Sequence, residues 1–464
     1  MRFAVKYGLF FLAVLASRLP FLHSGFGLDG DSWSIAITAQ KIHDTGIYEA
    51  SRFPGNPIHE YLSSLIIGNG AYWHLNFLSA LFNSIGILFF ALGLRQLKFR
   101  LPLLAATALA SVPVIYLSGI ITIDYSLGFA FLMSAFYTVC LNRSLLTGIF
   151  LGLAIGCRVT SGAMLLPYAL MLLQNDGLHK NLWRIFNSMA SAIVVGAICF
   201  LPVFLRYGSE FFTYYDVPYP SIPRVLYRGF IEVWGVVGFI GLVVGILMLF
   251  LPSSLTRSDY LFPRSVNIRY VIAWLVAIDL FIIAFIKLPM EAGYLIPAVP
   301  FIILIFGKYL IRPAFTLFAC CMILSPFLVS ISPAERKDAE EPSVISVEVK
   351  AGEEKVIVDI LKGPLVSYES RRLNGLDYVE QLLISLDTIR QPAVLVAGQW
   401  YNKLVFAQGD TLRGATVIAP HVKREELLSW VSEGRDILFL PQQDAFNVQL
   451  KGADPKIFGG ELYE

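Results

Sequence analysis

The sequence predicts a polytopic α-helical membrane protein that ends in a small α/β domain, and three observations support this. Hydrophobic residues make up 56% of the chain and charged residues only 15%, a balance far from that of an ordinary soluble protein. The apolar residues cluster in runs such as 193–205 and 236–251, which with their flanks approach the roughly 20 residues that cross a bilayer. Beyond residue 332, short apolar strands alternate with amphipathic helices.

The apolar runs and their basic flanks together give about eleven membrane spans. They are expected at about residues 7–22, 71–94, 101–118, 125–142, two within 144–173, 185–205, 230–251, 270–287, a tenth that ends at Lys308, and 313–331. The net charge of +2 is small, and the charges are sorted by side of the membrane. We therefore expect membrane lipids, and no nucleic acid, among the partners.

Basic residues orient these spans, because they favour the cytoplasmic side. Arg2 and Lys6 hold the N-terminus in the cytoplasm. Lys180 also belongs there, and this requires the tract 144–173 to form a hairpin of two short or tilted spans that turns near Arg158. An odd number of spans then places the C-terminus outside.

The C-terminal part is expected to be a separate α/β domain of residues 333–464, after a membrane domain of residues 1–332. Its apolar strands and amphipathic helices predict a mostly parallel sheet. Gly398 is a lone glycine and falls well short of a dinucleotide-binding fingerprint. A structural or acceptor-binding role is favoured over a second catalytic centre.

The first outer loop, residues 23–70, holds two closely spaced acids, Asp29 and Asp31. A carboxylate in a partly dehydrated site is suited to act as a general base toward a hydroxyl group. Two carboxylates at this spacing also permit a divalent cation. The alternative is an acidic turn in which Asp31 is the N-cap of the following helix. The spacing alone does not separate these interpretations.

The same loop contains Arg52 in a turn rich in proline and glycine, followed by His59 and Glu60. An arginine guanidinium forms a bidentate clamp on phosphate, but a single arginine near a membrane is more often an anchor to lipid head groups. His59 is kept as a residue that orders the loop.

Four more polar residues are expected at the outer ends of spans: Asp124, Arg158, Glu291 and Tyr294. An arginine between apolar spans is costly unless it has a phosphate or carboxylate partner, so functional and structural roles for Arg158 are equally supported. Asp124 is alternatively a helix cap, and Glu291 alternatively pairs with Lys287.

Several of these residues belong to an ordered pattern of four segments. An acid precedes a helix with small residues and a glycine; a basic residue precedes a proline-rich turn; an apolar hairpin ends in proline; and an acid precedes an aromatic-Leu-X-Pro-X-X-Pro sequence. In this order the segments are Asp31 with Ala36, Ala39 and Gly46; Arg52 with Pro54, Pro57 and Tyr61; residues 148–167; and residues 291–301. The pattern resembles that of the GT-C superfamily of membrane glycosyltransferases, especially the branch that contains protein O-mannosyltransferases and lipid A aminoarabinose transferases.

The resemblance implies the GT-C fold and an integral, multi-pass protein of a bacterial inner or archaeal plasma membrane. It also implies that a sugar is transferred, with inversion, from a polyprenyl-phosphate-linked donor to a lipid, glycan or protein acceptor on the extracytoplasmic face. A phosphate leaving group needs no acid to protonate it, so one carboxylate base is enough, whereas inverting glycosidases place two carboxyl groups. No cofactor is implied beyond the divalent cation that the two acids permit.

The same resemblance assigns roles to residues. Asp31 is expected to be the base, with Asp29 as the second choice, and Arg52 the better phosphate clamp, with Arg158 as the second. The expected substrate-binding residues are His59, Glu60, Asp124, Glu291 and Tyr294.

Two other function classes remain as alternatives. A transporter or flippase for a lipid-linked or small solute is disfavoured by the odd span count, the absence of internal repeats and the location of polar residues on one face. A non-catalytic assembly protein that recruits partners through its outer domain is the other.

Overall fold

The computed structural model describes residues 2–68, 71–212, 219–250, 260–263, 266–333, 345–351, 354–409, 411–420 and 424–440. A large helical part is followed by two small sheets with helices, so the predicted fold class is confirmed. The end of the expected second domain, residues 441–464, lies outside the described residues. The described residues 345–440 are called the C-terminal region below.

The described residues of the helical part form fifteen α-helices. They are α1 Arg2–Ala16, α2 Gly30–Thr45, α3 Pro57–Ile66, α4 Tyr72–Gln96, α5 Pro102–Ser111, α6 Pro113–Ser118, α7 Tyr125–Cys140, α8 Ser144–Cys157, α9 Leu165–Leu172, α10 Leu178–Tyr207, α11 Ile222–Leu226, α12 Val233–Phe250, α13 Ile268–Lys287, α14 Val299–Tyr309 and α15 Arg312–Leu324. Short 3₁₀ segments Leu19–Phe21, Val159–Met164, Glu210–Phe212 and Ala292–Leu295 and a π-helical turn Tyr227–Glu232 connect some of them.

Five helical stretches of the described chain are long and apolar enough to cross a membrane, and six shorter helices are also apolar. Together they coincide with the expected spans. The surface of α10 is typical of a helix in lipid, since it buries Ala192 and Gly196 and exposes Ile193, Ile198 and Leu205. Helices in membranes pack through small residues and present large apolar ones to the bilayer.

Helix α8, which leads into the predicted turn, packs closely against α10. A Cβ atom on Gly152 would lie 2.6 Å from Cβ of Val195, and one on Gly156 would lie 2.6 Å from Cβ of Cys199. Glycines spaced four apart let two membrane helices approach closely. Helix α8 ends at Cys157, and Arg158 begins the connection to the 3₁₀ segment Val159–Met164 and α9, at the position where the turn was predicted.

The C-terminal region contains a parallel core, as predicted, and elements that the sequence did not predict. Strand β1 Ser330–Pro333 precedes the C-terminal region and pairs with it. With β2 Ser346–Ala351 and β3 Glu354–Asp359 it forms an antiparallel sheet in the order β1-β3-β2. The second sheet has the order β5-β6-β4-β7, and β4 is parallel to both neighbours. Its strands are β4 Ala393–Val396, β5 Leu412–Arg413, β6 Thr416–Ala419 and β7 Asp436–Phe439, and the helices are α16 Pro364–Leu386, α17 Tyr401–Gln408 and α18 Arg424–Ser432. Strands β1, β2 and β5 and helix α17 were not predicted.

A buried arginine attaches this region to the start of the first outer loop. Arg372 on α16 is 1% exposed, and its guanidinium donates to the carbonyl oxygens of Phe21 at 3.0 Å, Ser24 at 3.1 Å and Gly25 at 2.5 Å. Glu369 pairs with the same arginine at 3.1 Å. A buried charge with several carbonyl acceptors and one carboxylate is well satisfied.

We expect Arg372→Met to loosen this attachment. The substitution keeps an apolar stem but leaves the carbonyl groups of Phe21 and Ser24 without their Arg372 donor, whereas that of Gly25 keeps Asn76. The cost is about 1–3 kcal/mol for each buried group that finds no replacement. The melting temperature in detergent should fall by several degrees, and residues 21–25 should become accessible to protease. The control is Arg390→Met, because Arg390 is exposed. Equal effects of the two substitutions would contradict this role of Arg372.

Candidate active site

The loop acids occupy different positions at the start of α2. Asp29 is the N-cap, and its Oδ1 accepts a hydrogen bond from the backbone N–H of Ser32 at 2.9 Å. Asp31 lies in the first helical turn, so the cap is Asp29 rather than Asp31. Helix α2 ends at Thr45 and is followed by Gly46 in the left-handed conformation, which glycine adopts without strain.

Arg52 connects three carboxylates that are distant in sequence. Its Nη1 contacts Asp31 Oδ2 and lies 3.4 Å from Glu291 Oε1, and its Nη2 lies 3.1 Å from Asp124 Oδ1. The Asp31 side chain is 37% exposed, whereas that of Asp124 is fully buried. The turn after α2 thus brings the first outer loop into contact with the start of α7 and with the late outer segment.

Arg158 supplies the second cation. Its Nη1 lies 2.5 Å from Asp124 Oδ2, so Asp124 is held between two guanidinium groups. Among the described residues, the Arg158 guanidinium donates a hydrogen bond only through Nη1. Because a guanidinium has five N–H donors, most donors of Arg158 remain available to a ligand, while both Nη atoms of Arg52 are engaged.

Two tyrosines complete the cluster. The Tyr125 hydroxyl donates to the Glu291 carboxylate, and the Arg158 Cζ atom lies 4.0 Å from the Tyr125 ring centre and 5.4 Å from that of Tyr294. A Cβ atom on residue 293 would overlap the Tyr125 ring. Gly293 is therefore required for the late segment to approach Tyr125, and Glu291 pairs with Arg52 and Tyr125 rather than with Lys287.

Glu60 supports the turn that carries Arg52, and His59 is buried beside it. Glu60 Oε1 accepts from the backbone N–H and the hydroxyl of Ser51, each at 2.7 Å, and Oε2 accepts from the N–H of Asn56 at 3.1 Å. Burial raises the pKa of Glu60. His59 is fully buried, and burial lowers its pKa to about 4. Neither residue is among those that line the two cavities described below.

His59 makes stability depend on pH. Because its pKa falls from 6.5 in the unfolded chain to about 4 when buried, the unfolded state binds more protons between these values. The free energy of unfolding is therefore highest above pH 6.5. As pH falls toward 4, protonation of His59 in the unfolded chain lowers it by up to about 3 kcal/mol. We expect the melting temperature of the wild type to fall over this window more than that of His59→Leu. Parallel pH curves for the two proteins would rule out His59 as the source.

Two cavities meet at this cluster. The first, called the arginine cavity, has a volume of about 510 Å³ and is lined by Asp31, Arg52, Arg158 and apolar side chains. The second, called the junction cavity, has a volume of about 490 Å³ and lies between the helical part and the C-terminal region. Tyr125 and Glu291 line both cavities.

Asp29 lines the junction cavity and Asp31 the arginine cavity. The pair therefore does not present both carboxylates to one cation. Asp29 is exposed to its cavity but surrounded by protein, and the loss of bulk water raises its pKa. The described residues contain no group of three or more metal-ligating side chains.

The cluster gathers five of the residues singled out from the sequence, and it includes one that was missed. The gathered residues are Asp31, Arg52, Asp124, Arg158 and Glu291, with Tyr294 beside them. Tyr125 was missed, although its place next to Asp124 at the start of a span was a usable signal. The C-terminal residues Arg371, Trp400 and Lys403, which line the junction cavity, gave no signal because their approach depends on docking.

Comparisons with known proteins add the following. No family model matches the sequence, and no curated protein matches it. Among solved structures, the crystal structure of ArnT from Cupriavidus metallidurans bound to undecaprenyl phosphate is similar with a TM-score of 0.54 and 12% sequence identity, over 99% of this chain and 90% of that chain. The apo structure of the same protein has a TM-score of 0.43 and 13% identity, over 99% of this chain and 89% of that chain. The expected GT-C fold is confirmed: the chain has the fold of the aminoarabinose transferase ArnT.

Proposed function

We propose that this protein is a membrane glycosyltransferase that moves a sugar from a polyprenyl-phosphate-linked donor to an acceptor. One observation carries the proposal: two arginines and the partly exposed carboxylate of Asp31 line a single cavity whose other walls are mostly apolar. The presence of undecaprenyl phosphate in the structurally similar ArnT supports the same class of donor.

The donor phosphate is assigned first to Arg158. Its guanidinium keeps N–H donors available, whereas Arg52 is engaged by three carboxylates. Phe129, Leu132 and Phe281 line the same cavity and offer an apolar surface to the first part of the polyprenyl chain. Arg52 is the secondary ligand of the phosphate, and it also holds Asp31 in place.

The reaction needs one base. The acceptor oxygen forms a bond to the anomeric carbon, and the bond from that carbon to the donor phosphate oxygen breaks, with its electron pair on the phosphate. The proton of the acceptor hydroxyl passes to the carboxylate of Asp31. Attack opposite the leaving phosphate inverts the anomeric centre. Positively charged guanidinium groups stabilise the charge that develops on the phosphate.

The other acids are less suited to this step. Asp124 is fully buried between two guanidinium groups, so an acceptor does not reach it. Asp29 is occupied as a helix cap and does not line the arginine cavity, to which the donor phosphate is assigned. Glu291 lines both cavities and is the second choice as base.

The acceptor is proposed to enter through the junction cavity. This cavity shares the wall formed by Tyr125 and Glu291 with the arginine cavity, so an acceptor there is adjacent to the sugar. Arg224 and Arg228 also line it, and neither forms a salt bridge with a described residue. The lining has four basic side chains, with Arg371 and Lys403 added to these two, against the three acids Asp29, Glu232 and Glu291. An acceptor with an anionic group fits this balance better than a neutral one.

The proposed orientation puts this site outside the cell. Helix α4 begins near the first outer loop and carries Arg95 in its last turn, with Lys98 and Arg100 just beyond. A cytoplasmic location for these basic residues leaves the start of α4, and with it the loop, on the extracytoplasmic face.

Turnover by the purified protein tests the proposal. The protein in liposomes is given a polyprenyl-phospho-sugar with a radiolabelled sugar and an extract of envelope lipids, and release of polyprenyl phosphate is measured. We expect labelled product and free polyprenyl phosphate in equal amounts. If the donor only crosses the bilayer unchanged, the protein is a flippase. If the donor is neither consumed nor moved, the enzyme proposal fails.

A further inference from the structure

We propose that Asn402 and Tyr368 of the C-terminal region are positioning residues that set the geometry of the loop carrying Asp31. This inference rests on the proposed function, because it concerns how the base is placed. It also gives the C-terminal region a part in transfer that involves no contact with the reacting atoms.

The first step is the set of contacts on the segment just before Asp31. The Nδ2 of Asn402 donates to the carbonyl oxygen of Gly30 at 2.8 Å, and the backbone N–H of Leu28 donates to the Tyr368 hydroxyl at 3.3 Å. In the described part of the chain, these are the only hydrogen bonds that residues 28–30 receive from outside the loop and its helix α2. The C-terminal region therefore holds the turn directly beside the proposed base.

The second step is the contrast with the earlier part of the loop, which the membrane helices also hold. Asn76 donates to the carbonyl oxygens of Leu22 and Gly25, each at 2.9 Å, and the N–H of Thr122 donates to the carbonyl of Phe26 at 2.8 Å. If contacts from the C-terminal region are lost, the helical part still holds residues 22–26 through these hydrogen bonds, but it does not hold residues 28–30.

The third step is the rigidity of the surface that supplies the two groups. Phe406 on α17 packs edge-to-face against Phe26, with ring centres 4.9 Å apart, and against Trp33 at 5.8 Å. Asn402 lies one turn earlier on the same helix. This aromatic contact fixes α17 against α2, so the Asn402 amide is held at the Gly30 carbonyl rather than sampling many positions.

The geometry links these contacts to the reaction. Gly30 is the residue before Asp31, and a change in its carbonyl direction rotates the first turn of α2 that carries the carboxylate. Asp31 must keep its contact with Arg52 while facing the acceptor. Displacement of a reacting group by about 1 Å costs up to about 100-fold in rate.

Asn402→Asp tests the inference, because it keeps the shape of the side chain and replaces the donating amide with a carboxylate oxygen that faces the Gly30 carbonyl. We expect kcat per folded molecule to fall about 10-fold to 100-fold, with KM for the donor unchanged. The matched control is Gln381→Glu, the same amide-to-carboxylate change on the outer surface of α16, which should leave kcat unchanged. Tyr368→Phe, which removes only the acceptor hydroxyl, should lower kcat in the same direction by a smaller factor.

The outcomes separate this inference from the proposed function. If the wild type releases polyprenyl phosphate but Asn402→Asp behaves like Gln381→Glu, the inference fails and the proposed function stands. If the melting temperature falls in both Asn402→Asp and Tyr368→Phe and the loss of activity follows the loss of folded protein, the two residues are only structural and the inference fails. If the wild type consumes no donor, the proposed function fails, and the inference with it.

Discussion

Asp31→Asn is expected to lower kcat for sugar transfer by about 10²-fold to 10⁴-fold, the range that a general base contributes. The amide keeps the shape of the carboxylate but does not accept the proton of the acceptor hydroxyl. Arg52 retains Asp124 and Glu291 as partners in the variant, so the cluster should stay folded. The measurement is the initial rate of polyprenyl phosphate release in liposomes.

Two matched substitutions, one near the end of α2 and one at its N-cap, serve as controls for that result. Asp44→Asn changes an exposed acid near the end of α2 and should have no effect. Asp29→Asn should also retain activity, because asparagine is as good an N-cap as aspartate. Loss of activity in Asp29→Asn but not in Asp31→Asn would reverse the assignment of the base.

Arg158→Leu is expected to destabilise the protein by about 3–5 kcal/mol, the cost of removing one partner from a buried ion pair. The substitution leaves the fully buried carboxylate of Asp124 with Arg52 alone. Thermal unfolding in detergent is the measurement, and the melting temperature should fall by several degrees. Donor binding should be lost as well, since Arg158 is the proposed phosphate ligand.

A double-mutant cycle identifies the cause of that loss. Asp124→Asn alone should also destabilise the protein, but the combination of Arg158→Leu with Asp124→Asn should cost less than the sum of the two, because no unpaired charge remains. Strictly additive effects would show that the contact between Arg158 and Asp124 contributes no coupling.

The membrane fold was predictable because its signals are local. Apolar runs of sufficient length, basic flanks and the position of Arg158 predicted the spans and a break near Arg158, and α8 ends at Cys157 before the 3₁₀ segment Val159–Met164. The short elements of the C-terminal region were harder. Strand β2 reads SVEVKA, and its valines alternate with polar residues over too few positions to stand out.

The candidate site was predictable in its residue types and only partly in its pairings. An arginine between apolar spans is costly without a partner, and this alone singled out Arg158, whereas Asp124 was noted for its place at the outer end of a span. The sequence did not indicate that Arg52 would contact three carboxylates, because that depends on how the loop, the start of α7 and the late segment converge. The contact between Asn402 and Gly30 joins residues 372 positions apart, and only the docked structure reveals it.

Binding of the donor's lipid phosphate tests the central claim most directly. Purified protein is mixed with polyprenyl phosphate or with the neutral polyprenol of the same chain length, and the shift in melting temperature is measured for the wild type and for Arg158→Gln. A ligand that binds only the folded state raises the melting temperature. We predict a rise with polyprenyl phosphate in the wild type, little or none with polyprenol, and loss of the difference in Arg158→Gln. Equal shifts with the phosphate and the alcohol in the wild type would contradict a phosphate site between the two arginines.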